Sequence, residues 1–300
     1  MSSNGGCWCS VLIAPIFSIF GQEEILTNMK KNRILILGGS GFLGYKITET
    51  VFRHNEVWAT YLTEKQNSQV WPQVKIDLLN YNLLRQVLRN IRPSIIIHAA
   101  RAHPFDDNSE KVREVTIRLT EMVSEIGARL IYLSSDAVFN GEKGDYRELD
   151  LPNPISGYGQ GKMEAESVIK GRLKDYVIIR TSHIYGKSNG RWDTRLTKLF
   201  SKIKKNQPVY RFRDMYRSPI LVDDLAKICW RLAGSDFRGI IHVAGERKSI
   251  YEFSQEVLNK NGFNASLVKP SSYKQSGLVV SPDTSLNTAL ARGVIGFELK

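Results

Sequence analysis

Residues 33–44 read RILILGGSGFLG, a short apolar run followed at once by a run rich in glycine. The apolar residues predict a buried strand, and Phe42, Leu43 and Ile47 then recur at the spacing of one helix face. A strand, a glycine turn and a helix in this order open a βαβ unit. We therefore expect an α/β fold that starts close to Arg33.

Two glycine spacings overlap in this turn, G-x-G-x-x-G from Gly39 to Gly44 and G-x-x-G-x-x-G from Gly38 to Gly44. Positions without a side chain let the backbone turn tightly and approach a pyrophosphate, which the positive end of the following helix attracts. A tight turn without a ligand is the alternative, but the flanking strand and helix favour dinucleotide binding. The predicted cofactor contacts in this turn are Gly38, Gly41, Phe42, Leu43 and Gly44.

Further apolar runs alternate with segments of helical periodicity along the chain. The runs lie at residues 56–62, 74–77, 94–99, 130–133, 176–179 and 240–245. Because they are continuously apolar rather than alternating, they predict a parallel sheet covered on both faces. The predicted fold is a Rossmann-type doubly wound parallel sheet with a smaller, interleaved C-terminal substrate lobe. We expect the NAD(P)-binding domain at 29–185 and most of the substrate lobe at 186–300, with the last sheet strand near 239–245.

Residues 1–28 are predicted to be an extension outside the folded domain. Their apolar run, Val11 to Phe20, contains Pro15 and is too short to span a bilayer, and no basic leader precedes it. The chain has three cysteines, of which Cys7 and Cys9 lie in this extension, so neither a disulfide framework nor a metal site is predicted. These features favour a cytoplasmic protein without a membrane partner.

The net charge of +12 favours anionic partners such as nucleotides and sugar phosphates. The densest basic stretch, Lys198 to Arg217, has no zinc-finger spacing and no aromatic RNA-binding signature, so nucleic acid is not predicted as a partner. We interpret that stretch as a solvated face.

Residues at the ends of the second to fourth predicted strands bear on the cofactor. A carboxylate at the end of the second strand would bind the ribose hydroxyls of NAD, but Thr60 to Thr63 contains none and Lys65 follows. NADP(H) is therefore the preferred prediction, with NAD(H) as the open alternative because Glu64 is adjacent. The strand ends supply the further predicted cofactor contacts Asp77, Leu78, Ala99, Ala100 and Arg101. Asp77 has a helix N-cap as its alternative role, and His98 is expected to pack at its strand end.

Ser135, Tyr158 and Lys162 are the candidate catalytic residues. Tyr158 and Lys162 stand four residues apart, so on a helix they share one face and the ammonium favours the phenolate. Ser135 ends a predicted strand and would donate a hydrogen bond to a carbonyl oxygen that Tyr158 protonates. Lys162 would also bind the nicotinamide ribose. The alternative for this spacing is a solvated helix face, and a strand-end serine alone is usually a cap.

The chain resembles the extended short-chain dehydrogenase/reductase superfamily, and within it the dTDP-4-dehydrorhamnose reductase family. The blocks that carry the resemblance are residues 38–44, 134–141, 146–148, 158–162, 180–186, 224–226 and 239–245, with Pro152, Pro154 and Pro219. The resemblance implies NAD(P)H-dependent reduction of a 4-keto group on a nucleotide-linked deoxysugar, with Ser135, Tyr158 and Lys162 as the triad. It also implies substrate contacts from Ser135, Asp136, His183 and Arg217, with a surface arginine as the open alternative for Arg217, and it leaves a homodimer open.

Some positions depart from the family pattern, and other functions stay open. The family usually carries an aromatic residue at His183, and superfamily members commonly place an Asn in the helix before the Ser135 strand, where residues 111–116 have none. A nucleotide-sugar 4-epimerase or dehydratase could use the same triad. A non-catalytic NADP-binding regulatory subunit is the further alternative, because the family includes a partner of methionine adenosyltransferase.

Overall fold

A computed structural model describes residues 32–63, 65, 70–100 and 109–296 of the 300-residue chain. The predicted extension at 1–28, Glu64 and the predicted cofactor contact Arg101 lie outside the described residues.

Fifteen strands and eight α-helices are formed by the described residues. The strands are β1 Arg33–Leu37, β2 Glu56–Tyr61, β3 Gln73–Lys75, β4 Ile95–His98, β5 Arg129–Ser135, β6 Tyr176–Thr181, β7 Ile184–Tyr185, β8 Lys187–Ser188, β9 Arg191–Trp192, β10 Val209–Phe212, β11 Tyr216–Arg217, β12 Ile220–Leu221, β13 Gly239–His242, β14 Lys248–Ser249 and β15 Val268–Ser271. The helices are α1 Phe42–Val51, α2 Tyr81–Ile91, α3 Ser109–Ile126, α4 Gly157–Arg172, α5 Thr194–Lys204, α6 Val222–Ala233, α7 Ile250–Lys260 and α8 Ala289–Ile295.

The central sheet contains seven strands in the order β3-β2-β1-β4-β5-β6-β13, and every neighbouring pair is parallel. The first six follow the strand order of a Rossmann fold, and β13 extends the sheet beside β6. The strand order reverses between β1 and β4, where Leu35 pairs with Ile96. The predicted doubly wound parallel sheet is confirmed.

Both faces of the sheet are covered, which explains why its strands are continuously apolar. Ile34 to Leu37 of β1 are fully buried, as are Ile96 and Ile97 of β4. On one face α3 and α4 pack against β5 and β6, with Val123 and Ile169 in that core. On the other face α1 packs against α6.

A second hydrophobic cluster lies in the C-terminal part of the described residues. It joins α5, α7 and the parallel pair β10–β15, and its buried members are Leu196, Leu199, Phe200, Ile203, Val209, Phe253, Val257, Leu258 and Val268. The same part of the chain also returns α6 and β13 to the sheet region, so the lobe is interleaved with the sheet. The domain boundary near 185 stays a prediction.

No helix among the described residues is long and apolar enough to span a bilayer. Within the same residues no group of three or more His, Cys, Asp or Glu side chains is arranged to hold a metal ion.

Candidate active site

A cleft of about 1460 Å³ opens at the carboxyl ends of the central strands, where the strand order reverses between β1 and β4. Open α/β sheets bind their ligands at this position. Most of the predicted site residues line it, namely Gly38, Gly41, Phe42, Leu43, Asp77, Leu78, Ala99, Ala100, Ser135, Asp136, Tyr158, Lys162, His183 and Arg217. The structure therefore brings together residues that are up to 179 positions apart in the sequence.

The glycine turn is shaped by close backbone contacts. Gly38 has φ +81°, and a Cβ there would lie 2.5 Å from the Cα of Ala100, which no side chain could tolerate. Gly44 does not line the cleft; a Cβ on it would lie 2.1 Å from the Gly38 oxygen, so this glycine packs helix α1 against the turn. The Thr60 hydroxyl accepts from the Gly38 N–H at 2.9 Å and anchors the turn to β2.

The helix that follows the turn presents its amino end to the cleft. Gly41 is the N-cap of α1 and has no side chain to bond the first N–H groups of the helix, and the first turn carries no acidic residue. The orphan N–H groups and the positive end of the helix dipole favour an anion there.

The end of β2 contributes Tyr61, Leu62 and Thr63 to the cleft, and none of these side chains is a carboxylate. The exposed Asp77 carboxylate accepts from the Leu79 N–H at 2.9 Å, which closes a turn. It does not cap α2, because Asn80 is the N-cap of that helix and bonds the Leu83 N–H. The helix-cap alternative for Asp77 is therefore wrong, and its role toward a cofactor stays a prediction.

Tyr158 and Ser135 are brought to one place by the packing of α4 on the end of β5. Helix α4 begins after its N-cap Ser156, which places Tyr158 in the first turn. A Cβ on Gly159 would lie 2.1 Å from the Ala137 oxygen, so α4 sits directly on the 3-10 turn that follows Ser135. The absence of a side chain at Gly159 is what permits this approach.

Lys162 lies one helical turn after Tyr158 and is only 5% exposed. Its Nζ is 5.9 Å from the centroid of the Tyr158 ring and donates to the Leu133 carbonyl oxygen at 2.7 Å and to the Tyr132 hydroxyl at 3.2 Å. A buried ammonium is stable only when its N–H groups donate hydrogen bonds. These two bonds hold the Lys162 ammonium near the Tyr158 ring. The predicted shared face of Tyr158 and Lys162 is present on α4.

Ser135 and Asp136 form a bonded corner at the end of β5. The Ser135 hydroxyl accepts from the Ala137 N–H at 3.2 Å and donates to Asp136 Oδ1 at 3.1 Å. Asp136 Oδ2 accepts from the Ser182 hydroxyl at 2.7 Å and from Thr284 Oγ1 at 2.8 Å. The Asp136 carboxylate thus ties β5 to the end of β6 and to the C-terminal segment, and it orients the Ser135 hydroxyl.

Arginines converge around His183 in the other half of the cleft. The His183 ring packs on Phe253 with 5.0 Å between centroids, and its Nε2 is buried. Burial, together with Arg195, Arg217 and Arg211, lowers the pKa of His183 to about 3, so the imidazole is neutral at pH 7. All three arginines line the cleft.

The guanidinium groups of Arg211 and Arg217 are partly withdrawn from water, and burial lowers the pKa of each below its usual range. For Arg217 the nearby Asp136 and Asp283 oppose that shift. The interpretation of residues 198–217 as a solvated face is wrong for Arg211, which is partly buried and lines the cleft. A fixed guanidinium fork suits phosphate oxygens.

The sequence model of the RmlD substrate binding domain family matches residues 32–285. The chain belongs to this family. It is thereby a member of the extended short-chain dehydrogenase/reductase superfamily, and the predicted resemblance is confirmed.

Three relatives show the range of proteins to which this RmlD-family chain is similar. A hypothetical dTDP-4-dehydrorhamnose reductase from Sulfolobus tokodaii is 30% identical, with a TM-score of 0.77 over 89% of this chain and 96% of that one. The Bacillus anthracis dTDP-4-dehydrorhamnose reductase, solved in complex with NADP, is 26% identical, with a TM-score of 0.75 over 90% and 95%. The methionine adenosyltransferase 2 subunit beta of Bos taurus is 28% identical over 263 residues, which are 83% of this chain and 77% of that protein.

Several cleft residues of this RmlD-family protein escaped the sequence predictions. Arg195, Arg211 and Tyr132 carry no motif, and the basic stretch from Lys198 to Arg217 hinted only at Arg211. The buried Thr181 hydroxyl and His98 Nδ1, both in residues that line the cleft, have no hydrogen-bond partner among the described residues. His98 packs edge-on against Tyr132, at 5.3 Å between centroids, as expected for a strand-end histidine.

Proposed function

We propose that this protein is an NADPH-preferring reductase of a 4-keto group on a nucleotide-activated deoxysugar. The observation that carries the proposal is that Ser135, Tyr158 and Lys162 line the same cleft as the glycine turn and the arginines around His183. The similarity to dTDP-4-dehydrorhamnose reductases supports this substrate class.

The residues of the first half of the cleft fit a nicotinamide dinucleotide. The turn at Gly38 packs too closely on the backbone of Ala100 to hold a side chain, and the first turn of α1 carries no acidic residue. Gly41, Ala99 and Ala100 would lie along the pyrophosphate and ribose, and Lys162 would bond the nicotinamide ribose. The bound nicotinamide supplies the hydride.

The chain itself supplies the proton and fixes the ketone. Tyr158 donates its phenolic proton to the carbonyl oxygen as hydride reaches the carbon, and Lys162 stabilises the resulting phenolate across 5.9 Å to the ring. The Ser135 hydroxyl, held by Asp136 at 3.1 Å, can turn to donate to the same oxygen. The product is a secondary alcohol, and Tyr158 then regains a proton from solvent.

NADPH is the preferred cofactor in this proposal because the described residues at the end of β2, 60–63, include no carboxylate. Tyr61, Leu62 and Thr63 line that end and would not repel a 2'-phosphate, whereas an NAD-selective site usually bonds the ribose hydroxyls through an acid. A ratio of kcat/KM for NADPH to NADH above one is expected.

The arginines select the nucleotide portion of the substrate. Arg195, Arg211 and Arg217 line the cleft with His183 and act together on its pKa, so they concentrate positive charge in one part of the cleft. Two adjacent phosphates of a nucleoside diphosphate would neutralise that charge. This leaves the sugar ring between the arginines and the Ser135–Tyr158 pair.

A second function is favoured by the similarity to the methionine adenosyltransferase 2 subunit beta. In that case the protein would bind NADP and act as a regulatory subunit without turnover. The presence of Ser135, Tyr158 and Lys162 in one cleft favours the enzyme.

The two functions are separated by substrate turnover. The purified protein is incubated with NADPH and a panel of nucleoside diphosphate 4-keto-6-deoxyhexoses, and NADPH consumption is compared with alcohol formed. We expect one NADPH oxidised per ketone reduced, and a loss of at least about 100-fold in kcat for Tyr158→Phe with unchanged NADPH affinity.

Other outcomes contradict the reductase. Product formed without net NADPH oxidation indicates an epimerase or dehydratase that returns the hydride. Tight NADPH binding without any turnover, together with a changed KM of an added methionine adenosyltransferase catalytic subunit, supports the regulatory function.

A further inference from the structure

Lys162 is hydrogen-bonded to Tyr132, a buried tyrosine that belongs to no recognised sequence motif. Tyr132 lies on β5, three residues before Ser135, and is 1% exposed. Its hydroxyl accepts from Lys162 Nζ at 3.2 Å, and the same Nζ lies 4.5 Å from the Tyr132 ring centroid. The Lys162 ammonium therefore lies near the rings of two tyrosines, since the Tyr158 ring centroid is 5.9 Å away.

Thr116 of helix α3 is the polar neighbour of Tyr132 on the other side. Its side chain is also 1% exposed, and it acts on the ionisation of the Tyr132 hydroxyl. The Thr116 hydroxyl donates to the Val112 carbonyl oxygen at 2.7 Å, which fixes the Thr116 side chain on α3. Tyr132 therefore lies between the Lys162 ammonium, which donates to its hydroxyl at 3.2 Å, and a threonine that is itself held in place.

We propose that Tyr132 is a positioning residue that holds the Lys162 ammonium charged and beside Tyr158, with Thr116 fixing the direction of the Tyr132 hydroxyl. The proposal deepens the reductase assignment and rests on it, since Lys162 serves catalysis by favouring the Tyr158 phenolate. Tyr132 itself touches neither substrate nor hydride carrier in this scheme.

The groups that face Lys162 and Tyr132 allow Tyr132 to act as a neutral hydrogen-bond acceptor for the ammonium. From β4, His98 packs edge-on against Tyr132, and burial and then Lys162 lower the pKa of that imidazole to about 3, so it adds no charge at pH 7. From α4, Tyr158 and Glu166 act on Tyr132, whose pKa burial raises well above its usual range. Tyr132 therefore stays a neutral phenol and stabilises the ammonium by its dipole.

Removing the Tyr132 hydroxyl should change the ionisation of a different tyrosine. Lys162 keeps its bond to the Leu133 carbonyl but loses a bond that favours its charged form, so a buried ammonium becomes less stable. The phenolate of Tyr158 then loses part of its cationic stabilisation. The free energy of a hydrogen bond to a charged group corresponds to about one pKa unit or more. We therefore expect the pKa of Tyr158 to rise by about one unit.

The test follows Tyr158 directly, without turnover. The full chain is labelled with [13Cζ]tyrosine, the Tyr158 signal is assigned with Tyr158→Phe, and its shift is followed against pH in wild type, Tyr132→Phe and Thr116→Val. We expect an upward pKa shift of about one unit in Tyr132→Phe, a smaller shift of the same sign in Thr116→Val, and recovery in Thr116→Ser. Tyr176→Phe is the matched control, because that partly buried phenol starts β6 and does not line the cleft.

The outcomes for the two proposals differ. An unchanged Tyr158 pKa in both Tyr132→Phe and Thr116→Val overturns the positioning role, as does an equal shift in Tyr176→Phe. If the pKa shifts as expected but wild type reduces no ketosugar, the reductase assignment fails while the role of Tyr132 toward Lys162 stands. In an active enzyme, kcat should fall about 10-fold in Tyr132→Phe with KM for NADPH changed less than twofold.

Discussion

Replacing Glu166 by Gln should destabilise the protein strongly, because this residue completes a buried ion pair directly beneath the candidate active site. Its Oε2 accepts from Arg180 Nη2 at 2.7 Å, and its Oε1 accepts from Arg180 Nε at 3.0 Å and from the Ser134 hydroxyl at 2.6 Å. The Glu166 and Arg180 side chains are 2% and 1% exposed. Glu166 also lies one helical turn after Lys162, and Ser134 adjoins Ser135.

The magnitude follows from the burial. In Glu166→Gln the new amide N–H₂ would face a guanidinium that has only donors, so one charge would remain buried without its counterion. Breaking a buried pair in this way costs about 3–5 kcal/mol, and the midpoint of thermal unfolding should fall by roughly 6–20 °C for a domain of this size. Replacing both partners, as Glu166→Leu with Arg180→Met, should recover more than half of the loss, since no unpaired charge remains.

Urea unfolding followed by the fluorescence of the five tryptophans measures this loss as a change in midpoint at constant m. Glu164→Gln is the matched control, because it makes the same change on the same helix, where the side chain is 30% exposed and its Arg113 partner is 3.9 Å away. That variant should lose less than about 0.5 kcal/mol. A Glu166→Gln variant within about 1 kcal/mol of wild type would refute the assignment of the pair as an essential buried contact.

Two further predictions concern the cofactor turn and the dependence of stability on pH. Gly38→Ala should weaken NADPH binding at least about 10-fold or prevent folding, because φ is +81° and the new Cβ would lie 2.5 Å from a backbone carbon just after β4. Gly171→Ala, where a Cβ meets nothing within 4 Å, should leave affinity unchanged in the same titration; equal effects would contradict the cradle. Burial first, with nearby Lys or Arg side chains, lowers the pKa of His98, His183 and His242 to about 3, so unfolding takes up protons below the ordinary value of 6.5. The free energy of unfolding should thus fall by roughly 3–4 kcal/mol per pH unit as the pH is lowered from about 6 to 5. A urea midpoint that does not change over that pH range would show that these imidazoles are solvated.

Local patterns in the sequence were enough for the architecture and for the centre of the candidate site. Three of these patterns are the continuously apolar strands, the turn from Gly38 to Gly44 and the spacing of Tyr158 and Lys162. Each depends on residues that are close in the chain, where sequence periodicity predicts which side chains share a face. The strand after which Ser135 stands was recognisable for the same reason. The right-handedness of βαβ connections then restricts the possible strand orders, and the seven parallel strands of the structure follow the Rossmann order with one strand added.

The contacts that tune the site depended on the tertiary structure alone. Thr284 donates a hydrogen bond to Asp136, 148 positions away, and Lys162 donates one to Tyr132, 30 positions away. Arg211 lines the cleft although it belongs to a stretch predicted to be solvated. No local period encodes such pairs, because they arise only when strand order and the packing of α3, α4 and the C-terminal lobe bring distant surfaces together. The sequence by itself therefore determined the glycine turn and the candidate proton donor Tyr158, whereas the packing decided which charges and hydroxyls surround them.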